Sequence, residues 1–156
     1  MTPEFMPDGD DISRWIFYPH MSKEDRELIW DNVFMFPSGR PESVVWRRYL
    51  KSIGEVHEKG CEREKERNTR PERADKKLQR YYGAISAKVL DIRKIRNLNK
   101  HGFRVEHDPS EKEGIYHVHI SYDVSQGYDF TKQDKIELKS RLKAVFSDLL
   151  PHACEH

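Results

Sequence analysis

The chain has 156 residues, of which 36% are apolar and 35% charged, and its formal net charge is +1. This length suits one domain with a core of its own. No signal peptide opens the sequence and no apolar run approaches the roughly 18 residues of a membrane helix, so we expect a cytoplasmic protein without a membrane segment. Residues 1–5 look like a cloning linker, so we expect a single domain over residues 6–150 and a tail over 151–156.

The charged residues are spread unevenly along the chain. Residues 70–104 carry 11 basic and 3 acidic side chains, a net of +8, whereas residues 1–35 carry 3 basic and 8 acidic ones, a net of −5. A basic block inside a nearly neutral chain can bind a polyanion, the acidic surface of a partner, or acidic segments of the same chain.

The first half of the chain contains one clear strand pattern and two helix patterns. Residues 12–18 are rich in β-forming side chains, and Ser22 begins a segment typical of a helix N-terminus. Residues 43–50 fit a strand or the start of a helix. Residues 53–68 predict a highly charged helix, although residues 62–77 could equally form a flexible charged insert.

The clearest helical period lies in the middle of the chain and predicts a central helix over about 72–95. Apolar residues recur there every three or four positions: Ala74, Leu78, Tyr81, Ile85, Val89, Ile92 and Ile95. The basic side chains fall on another side of that helix: Lys76, Lys77, Arg80, Lys88 and Lys94. Gly83 is costly in a helix interior and could mark a break.

The last third of the chain predicts a β-hairpin followed by a helix. Residues 102–107 and 115–123 alternate as strands do, with turn-forming residues between them. A capping box and an apolar stripe predict a C-terminal helix over about 132–149. We therefore expect an α+β fold, in which a small antiparallel sheet that includes a hairpin near 102–123 packs against the central and C-terminal helices.

The second strand of the hairpin carries a histidine pattern that would suit a metal. His117 and His119 share one face, because alternate residues of a strand point the same way. If the hairpin pairs symmetrically about its loop, His107 lies opposite Ile115 and joins them. Three imidazoles are suitable ligands for Zn²⁺ or another transition metal. The alternative is a polar sheet face with solvated histidines.

A second pair of ligand-type residues lies earlier in the chain. His57 and Cys61 are i and i+4 of the predicted charged helix and share a face. They could complete a zinc site with the hairpin histidines, or they could be a surface histidine and a half-buried cysteine. Cys61 and Cys154 form no Cys-x-x-Cys pattern, and in a cytoplasmic protein we expect both thiols to be reduced.

Residues 96–101 read Arg-Asn-Leu-Asn-Lys-His. This spacing of an arginine and a histidine resembles the motif of the HEPN ribonucleases, an all-helical family whose Arg and His act together at the RNA phosphate in a dimer. The resemblance implies Arg96 and His101 as catalytic residues. The alternative is a helix C-terminus, at which Arg96 and Lys100 meet the negative end of the helix and His101 begins a turn.

Three classes of function remain open. We expect a small intracellular binding or regulatory protein, with nucleic acid as the leading ligand through the basic residues of the predicted central helix and nearby aromatic rings. The second class is a protein-interaction module, such as an inhibitor, immunity factor or regulatory subunit, with a charge-complementary surface. The third is a small metal-dependent or HEPN-like nuclease. No motif fixes a reaction, and we expect no cofactor; zinc is the alternative that the ligand-type residues leave open.

Overall fold

A computed structural model describes residues 1–70 and 78–155. In that part of the chain, six antiparallel strands form one sheet in the order β4-β5-β2-β1-β3-β6. The strands are β1 (Asp11–Tyr18), β2 (Glu42–Trp46), β3 (Arg80–Lys88), β4 (Gly102–His107), β5 (His117–Asp123) and β6 (Leu150–Pro151). The first strand of the chain therefore lies inside the sheet, between β2 and β3.

Four α-helices and a short 3₁₀ turn, Pro37–Gly39, accompany the sheet in the described residues. The helices are α1 (Trp30–Val33), α2 (Ile53–Thr69), α3 (Val89–Arg93) and α4 (Lys132–Val145). None of these helices is long and apolar enough to span a lipid bilayer. The mixed α+β class that the sequence predicts is confirmed.

The two faces of the sheet bury different clusters. The larger apolar cluster is built from side chains such as Ile12, Ile16, Ile85 and Val118, together with apolar residues of α3 and α4. On the opposite face a smaller cluster joins Val45 and Ala84 of the sheet to Val56 of α2. Because α2 contacts β3 and β1, it covers one side of this face, and the face of β2 and β5 lies beside it.

The predicted central helix over 72–95 is wrong for the residues that can be described. Residues 80–88 form strand β3, and only the five residues of α3 are helical; residues 71–77 lie outside the described part of the chain. The strand lies inside the sheet, and most of its side chains are buried on both faces. A strand that is buried on both faces has no strict alternation, so its apolar residues can imitate a helical period.

Three of the other predicted elements are confirmed. The charged helix is confirmed as α2, which begins at a capping box where Ser52 and Glu55 exchange side chain to backbone hydrogen bonds. The hairpin is confirmed as β4 and β5, and the C-terminal helix as α4, which ends at Val145 rather than near residue 149. The helix predicted from Ser22 does not begin there: Ser22 pairs with Leu28 in an isolated β-bridge, and only Trp30–Val33 of that segment is helical, as α1.

The two cysteines are bonded to each other, so the prediction of reduced thiols is wrong. Cys61 of α2 and Cys154 of the C-terminal segment form a disulfide that links positions 93 residues apart. The C-terminal segment also pairs with the sheet through β6, and the backbone N–H of His152 donates to the Tyr82 carbonyl. The residues predicted to be a tail are therefore attached to both α2 and β3 up to Cys154.

Candidate functional site: a cationic cavity beside helix α2

A cavity of about 290 Å³ opens where strands β1 and β2 diverge. These strands pair at Ile12–Trp46 and Ser13–Val45, and beyond Ser13 the cavity lies between them, α2 and the loop before β5. Among the described residues around it are five cationic side chains and one carboxylate, Glu113. The five cations are Arg14, Arg63, Arg67, Arg70 and Lys112. Such an excess of positive charge attracts an anionic ligand.

Three of these cations come from the last two turns of α2 and its C-terminal cap. Arg63 donates to the Glu113 carbonyl at 3.0 Å and its guanidinium lies 5.7 Å from the Trp15 ring centre. Arg67 lies 4.0 Å from the centre of the Phe17 ring. Arg70 is exposed, as is Lys112 on the opposite side. The spacing of four and three residues places the arginines on one side of the helix.

Arg14 forms the floor of the cavity and is held by buried contacts. Its Nη1 donates to the Ser43 carbonyl at 2.6 Å, and its Nη2 donates to the Val33 carbonyl and to Glu42, each at 2.9 Å. Burial lowers the pKa of Arg14, and the Glu42 carboxylate opposes that shift. The buried Nε–H of Arg14 has no hydrogen-bond partner within the described residues. A buried charge held in this way is a fixed element of the site.

Two half-buried aromatic rings complete the wall. Trp15 and Tyr116 meet edge to face, with their ring centres 6.1 Å apart. The indole N–H of Trp15 donates to the Val56 carbonyl, which fixes the ring against α2. The cavity therefore offers aromatic surface beside cationic groups, the combination on which unpaired bases stack.

A serine, a histidine and an aspartate lie in line at one side of the cavity. The Oγ of Ser43 in β2 lies 2.9 Å from Nε2 of His117 in β5. On its other side, His117 Nδ1 lies 2.8 Å from the Asp108 carbonyl oxygen and 3.3 Å from its carboxylate. Ser43 is exposed and His117 is buried, and both line the cavity.

His119 shares the same carboxylate. Its Nε2 lies 3.3 Å from Asp108 Oδ2, and its ring centre lies 4.7 Å from that of His117. Burial lowers the pKa of His119, and Asp108 partly opposes the shift. The prediction that His117 and His119 share a face is confirmed, and the carboxylate of Asp108 joins them.

These three groups also fit the dimensions of a metal site. Their ligand atoms lie within 4.8 Å of one another, and two ligands on one zinc ion are roughly 3.4 Å apart. However, the contact of His117 Nδ1 with the Asp108 carbonyl requires a proton on Nδ1, because a carbonyl oxygen only accepts. A metal at that nitrogen would need this hydrogen bond to break, so zinc binding here remains a prediction.

His107 does not belong to this cluster, so its predicted position is wrong. It pairs with Val118 rather than with Ile115, and this shift of three residues turns its side chain to the opposite face of the sheet. There its ring is buried edge to face against Trp46 and lies within 2.6 Å of the Ile115 carbonyl. Its Nδ1 accepts from the backbone N–H of Glu4.

The second predicted ligand pair lies elsewhere. His57 accepts or donates a 2.7 Å hydrogen bond with the Tyr81 hydroxyl on β3, and its ring stacks on His152. Because β3 and β5 are three strand spacings apart, about 14 Å, His57 does not join His117. Cys61 is bonded to Cys154 and has no thiolate, so it is not a ligand for a zinc site with the hairpin histidines.

The motif that resembles the HEPN ribonucleases has a structural role here. The buried His101 contacts the Asp129 carbonyl through Nε2 and accepts from the Ser125 N–H through Nδ1, so both ring nitrogens are occupied. Arg96 forms an exposed ion pair with Asp123. These contacts do not support the catalytic pair that the resemblance implies, and the α+β fold with its antiparallel sheet differs from an all-helical domain.

Two residues between Arg96 and His101, Asn97 and Asn99, bind the carboxylate of Asp134, which caps the N-terminus of α4. The side-chain amides of Asn97 and Asn99 donate to Asp134 at 2.8 and 2.9 Å, and Thr131 donates through its backbone and hydroxyl. The Thr131 hydrogen bonds, with those of the two asparagines, lower the pKa of Asp134 to about 2. This segment therefore fastens the start of α4 to the loop before β4.

The described residues of the predicted basic helix face do not lie on one helix surface. Lys76 and Lys77 lie outside the described residues. Arg80 and Lys88 stand at opposite ends of the nine-residue strand β3, about 26 Å apart, and Lys94 follows α3. Lys88 forms an exposed ion pair with Asp11.

Comparisons with protein-family models, curated proteins and solved structures found no match for this chain. The site residues that sequence reasoning missed are Ser43, Asp108 and the arginines of α2. The arginines carried a detectable signal, since positions 63, 67 and 70 repeat at helical spacing within a segment interpreted as solvated charge. Ser43 and Asp108 carried none, because only the strand register brings them to His117.

Proposed function

We propose that this protein binds single-stranded nucleic acid and holds one nucleotide in the cavity beside α2. The observation that supports this most is the excess of cationic side chains, five to one carboxylate, among the described residues that line a cavity of about 290 Å³. Two of the five, Arg14 and Arg63, also form ion pairs with Glu42 and Glu113. The cavity volume lies just below the roughly 300–1,000 Å³ typical of ligand sites, which suits a ligand no larger than a single nucleotide.

The arrangement of the cations favours a phosphate as the anionic group. Arginine presents a planar fork of donors that matches phosphate oxygens. Arg14 is preorganised by its buried hydrogen bonds, whereas Arg70 and Lys112 are exposed and can follow a backbone that leaves the cavity. Neutralising phosphates releases condensed counterions, which makes such binding weaken as salt rises.

The aromatic wall favours unpaired bases over a duplex. Trp15 and Tyr116 are half-buried side chains that border the cavity. Stacking of a base on such a ring contributes about 1–3 kcal/mol and requires that the base be free of its own partner. A compact inorganic anion or a flat acidic protein surface would leave these rings unused.

The test is fluorescence anisotropy with labelled 12-nucleotide single-stranded RNA and DNA at several salt concentrations. In the double variant Arg70→Glu/Lys112→Glu we expect at least tenfold weaker binding. The slope of log affinity against log salt should also fall, by about 0.7 for each phosphate that the variant no longer neutralises. The matched control, Lys94→Glu/Lys132→Glu, changes two exposed lysines away from the cavity and should bind like the wild type.

A second pair of variants tests stacking. Tyr116→Leu should weaken binding by about tenfold, whereas Tyr116→Phe retains the ring and should bind normally. Absence of binding to either oligonucleotide would overturn the proposal and leave the protein-interaction class in front. Equal losses in the cavity variant and in the Lys94/Lys132 control would also overturn it, since the binding would then be a general charge effect.

A further inference from the structure

The hydrogen-bond partners of His117 determine which of its ring nitrogens carries the proton. The Asp108 carbonyl oxygen, 2.8 Å from Nδ1, can only accept, so Nδ1 is the donor. The neutral ring then has its lone pair on Nε2. Ser43 Oγ is 2.9 Å from that lone pair, and its hydroxyl is therefore the donor. Two hydrogen bonds thus run in one direction, from serine to histidine to aspartate.

This direction is the one that general-base activation of a serine requires. A serine hydroxyl is a weak nucleophile at its ordinary pKa and is activated by an adjacent base that a third group orients. Here the base is buried, with only 6% of its surface exposed, whereas Ser43 is exposed to the cavity. The oxygen that would attack is thus accessible, and the base that would take its proton is shielded.

The surroundings of Ser43 would stabilise an anionic transition state. Arg14 donates to the Ser43 main-chain carbonyl at 2.6 Å, which places a buried positive charge at the backbone of that residue. The remaining cations stand around the same cavity. Preorganised positive groups at the point where negative charge develops are a large source of rate enhancement.

We propose that Ser43 is a nucleophile, with His117 as its general base, and that the substrate is a phosphodiester. The choice of a phosphodiester rests on the proposed function, because it follows from the charge of the cavity. The assignment of the nucleophile does not, because it follows from the two hydrogen bonds of His117.

The reaction has two balanced steps. Ser43 Oγ forms a bond to phosphorus, the bond from phosphorus to the leaving alcohol oxygen breaks, and the serine proton moves to His117 Nε2 and then to the departing oxygen. Water then gives a proton to His117 and attacks phosphorus, and the bond to Ser43 Oγ breaks with return of the proton to the serine. The sum is hydrolysis of a diester to a monoester and an alcohol, and water is the only co-reactant that the balance requires.

Asp108 is a positioning residue in this scheme. Its main-chain carbonyl fixes the tautomer of His117, and its carboxylate, 3.3 Å from Nδ1, stabilises the imidazolium that forms. The Asp108→Asn variant should therefore keep the tautomer, which the ¹⁵N chemical shifts of His117 report. Its reaction should be slower than that of the wild type by a factor of about ten or more. Because the tautomer and the rate are separate readouts, general damage to the fold is distinguishable from loss of the carboxylate charge.

The first experiment uses a fluorophosphonate, which transfers its phosphonyl group to an activated serine with loss of fluoride. Intact-mass spectrometry should show one adduct on the wild-type protein, mapped to Ser43 and formed equally in the presence of EDTA. Ser43→Ala should abolish the adduct, and His117→Gln should slow its formation at least about 100-fold. Ser121→Ala, which changes a serine on the same face of the adjacent strand, is the matched control and should react normally.

Several results would overturn the proposal. These are no adduct on the wild type, an unchanged adduct in Ser43→Ala, or ¹⁵N shifts that place the His117 proton on Nε2. An adduct without hydrolysis of bis(p-nitrophenyl) phosphate would overturn the phosphodiester as substrate. Wild-type protein that forms the adduct normally but binds neither oligonucleotide would count against the proposed function alone.

Discussion

Gly60 of α2 lies against the ring of Tyr81 in β3, and a Cβ built on Gly60 would be 2.5 Å from the ring carbon Cε1. The helix can approach the sheet at this point only because position 60 has no side chain. We predict that Gly60→Ala lowers the free energy of unfolding by about 1–3 kcal/mol, because the extra methyl group must displace a buried ring. Urea unfolding measures this change.

A glycine in the same helix supplies the control. Gly54 is exposed, and a Cβ there would meet nothing closer than the Ser52 hydroxyl at 3.7 Å. Gly54→Ala should be neutral or stabilising by up to about 1 kcal/mol, since alanine favours the helix. If both variants were equally stable, the contact with Tyr81 would not be the reason for glycine at position 60.

The ion pair of Arg14 and Glu42 should contribute far more to the free energy of unfolding than the exposed ion pairs of the surface do. Glu42 also accepts hydrogen bonds from the backbone N–H groups of Met35 and Phe36, and its side chain is 12% exposed. Glu42→Ala leaves a buried guanidinium without its counter-charge, for which we expect a loss of about 3–5 kcal/mol in unfolding free energy.

The exposed pair of Lys23 and Glu27 is the comparison for this experiment. Its two side chains are 59% and 64% exposed, and such pairs contribute about 0–1 kcal/mol. Chemical denaturation of Glu27→Ala should therefore differ little from the wild type. Similar losses of unfolding free energy in Glu42→Ala and Glu27→Ala would mean that burial does not strengthen the ion pair of Arg14.

The disulfide should stabilise the fold substantially because of the length of chain that it closes. Cys61 and Cys154 are 93 residues apart, and bonds that close long loops typically add about 2–4 kcal/mol. Cys154→Ser should lose that amount in guanidinium unfolding, and wild-type protein reduced with dithiothreitol should match it. Titration of two free thiols in the folded, unreduced protein would contradict the bond itself.

The dependence of the unfolding free energy on pH should report the lowered pKa of the buried His57. Burial, the neighbouring His152 and Arg47 lower the pKa of His57 to about 4, whereas in the unfolded chain it is about 6.5. Between those values the unfolded chain binds the extra proton, so the free energy of unfolding should fall as pH drops from about 6.5 to 4 and level off below.

Variants at two histidines separate this effect from the rest of the titration. His57→Gln should flatten the fall in melting temperature between pH 7 and pH 4, whereas the exposed His20→Gln should keep the wild-type slope. An unchanged slope in His57→Gln would mean that other groups cause the acid sensitivity. Below pH 4, protonation of Asp134, whose pKa is lowered to about 2, adds a further loss.

The sequence was most misleading where tertiary structure overrides local pattern. Residues 80–88 have a helical spacing of apolar groups, yet they form an inner strand that is buried on both faces. Gly83, interpreted as a break in a helix, has φ +137°, and a Cβ there would be 2.2 Å from the Leu150 carbonyl oxygen. It is the point at which β6 approaches β3, a relationship between residues nearly seventy positions apart that no local pattern records.

The hairpin shows what a sequence pattern can and cannot determine. The alternation in β5 was sufficient to place His117 and His119 on one face, because that depends only on the strand itself. The position of His107 depended on the register, and the loop between the strands shifts that register by an odd number of residues. The capping box at Thr131 was predictable because its partner, Asp134, lies three residues away, although a similar pattern at Ser22 does not begin a helix.

The strand order has a consequence for how the chain reaches its native state. β1 is the first strand in the chain but an inner strand of the sheet, and its long pairing partner, β3, is more than 60 residues away. β2 pairs with β5 across a similar separation. Pairing between strands so far apart in sequence slows folding to the range of milliseconds to seconds. The chain must lose the entropy of closing each long loop before the contacts that stabilise it can form. During synthesis β1 and β2 therefore emerge long before β3, and the edge of β1 that pairs with β3 stays unpaired until then.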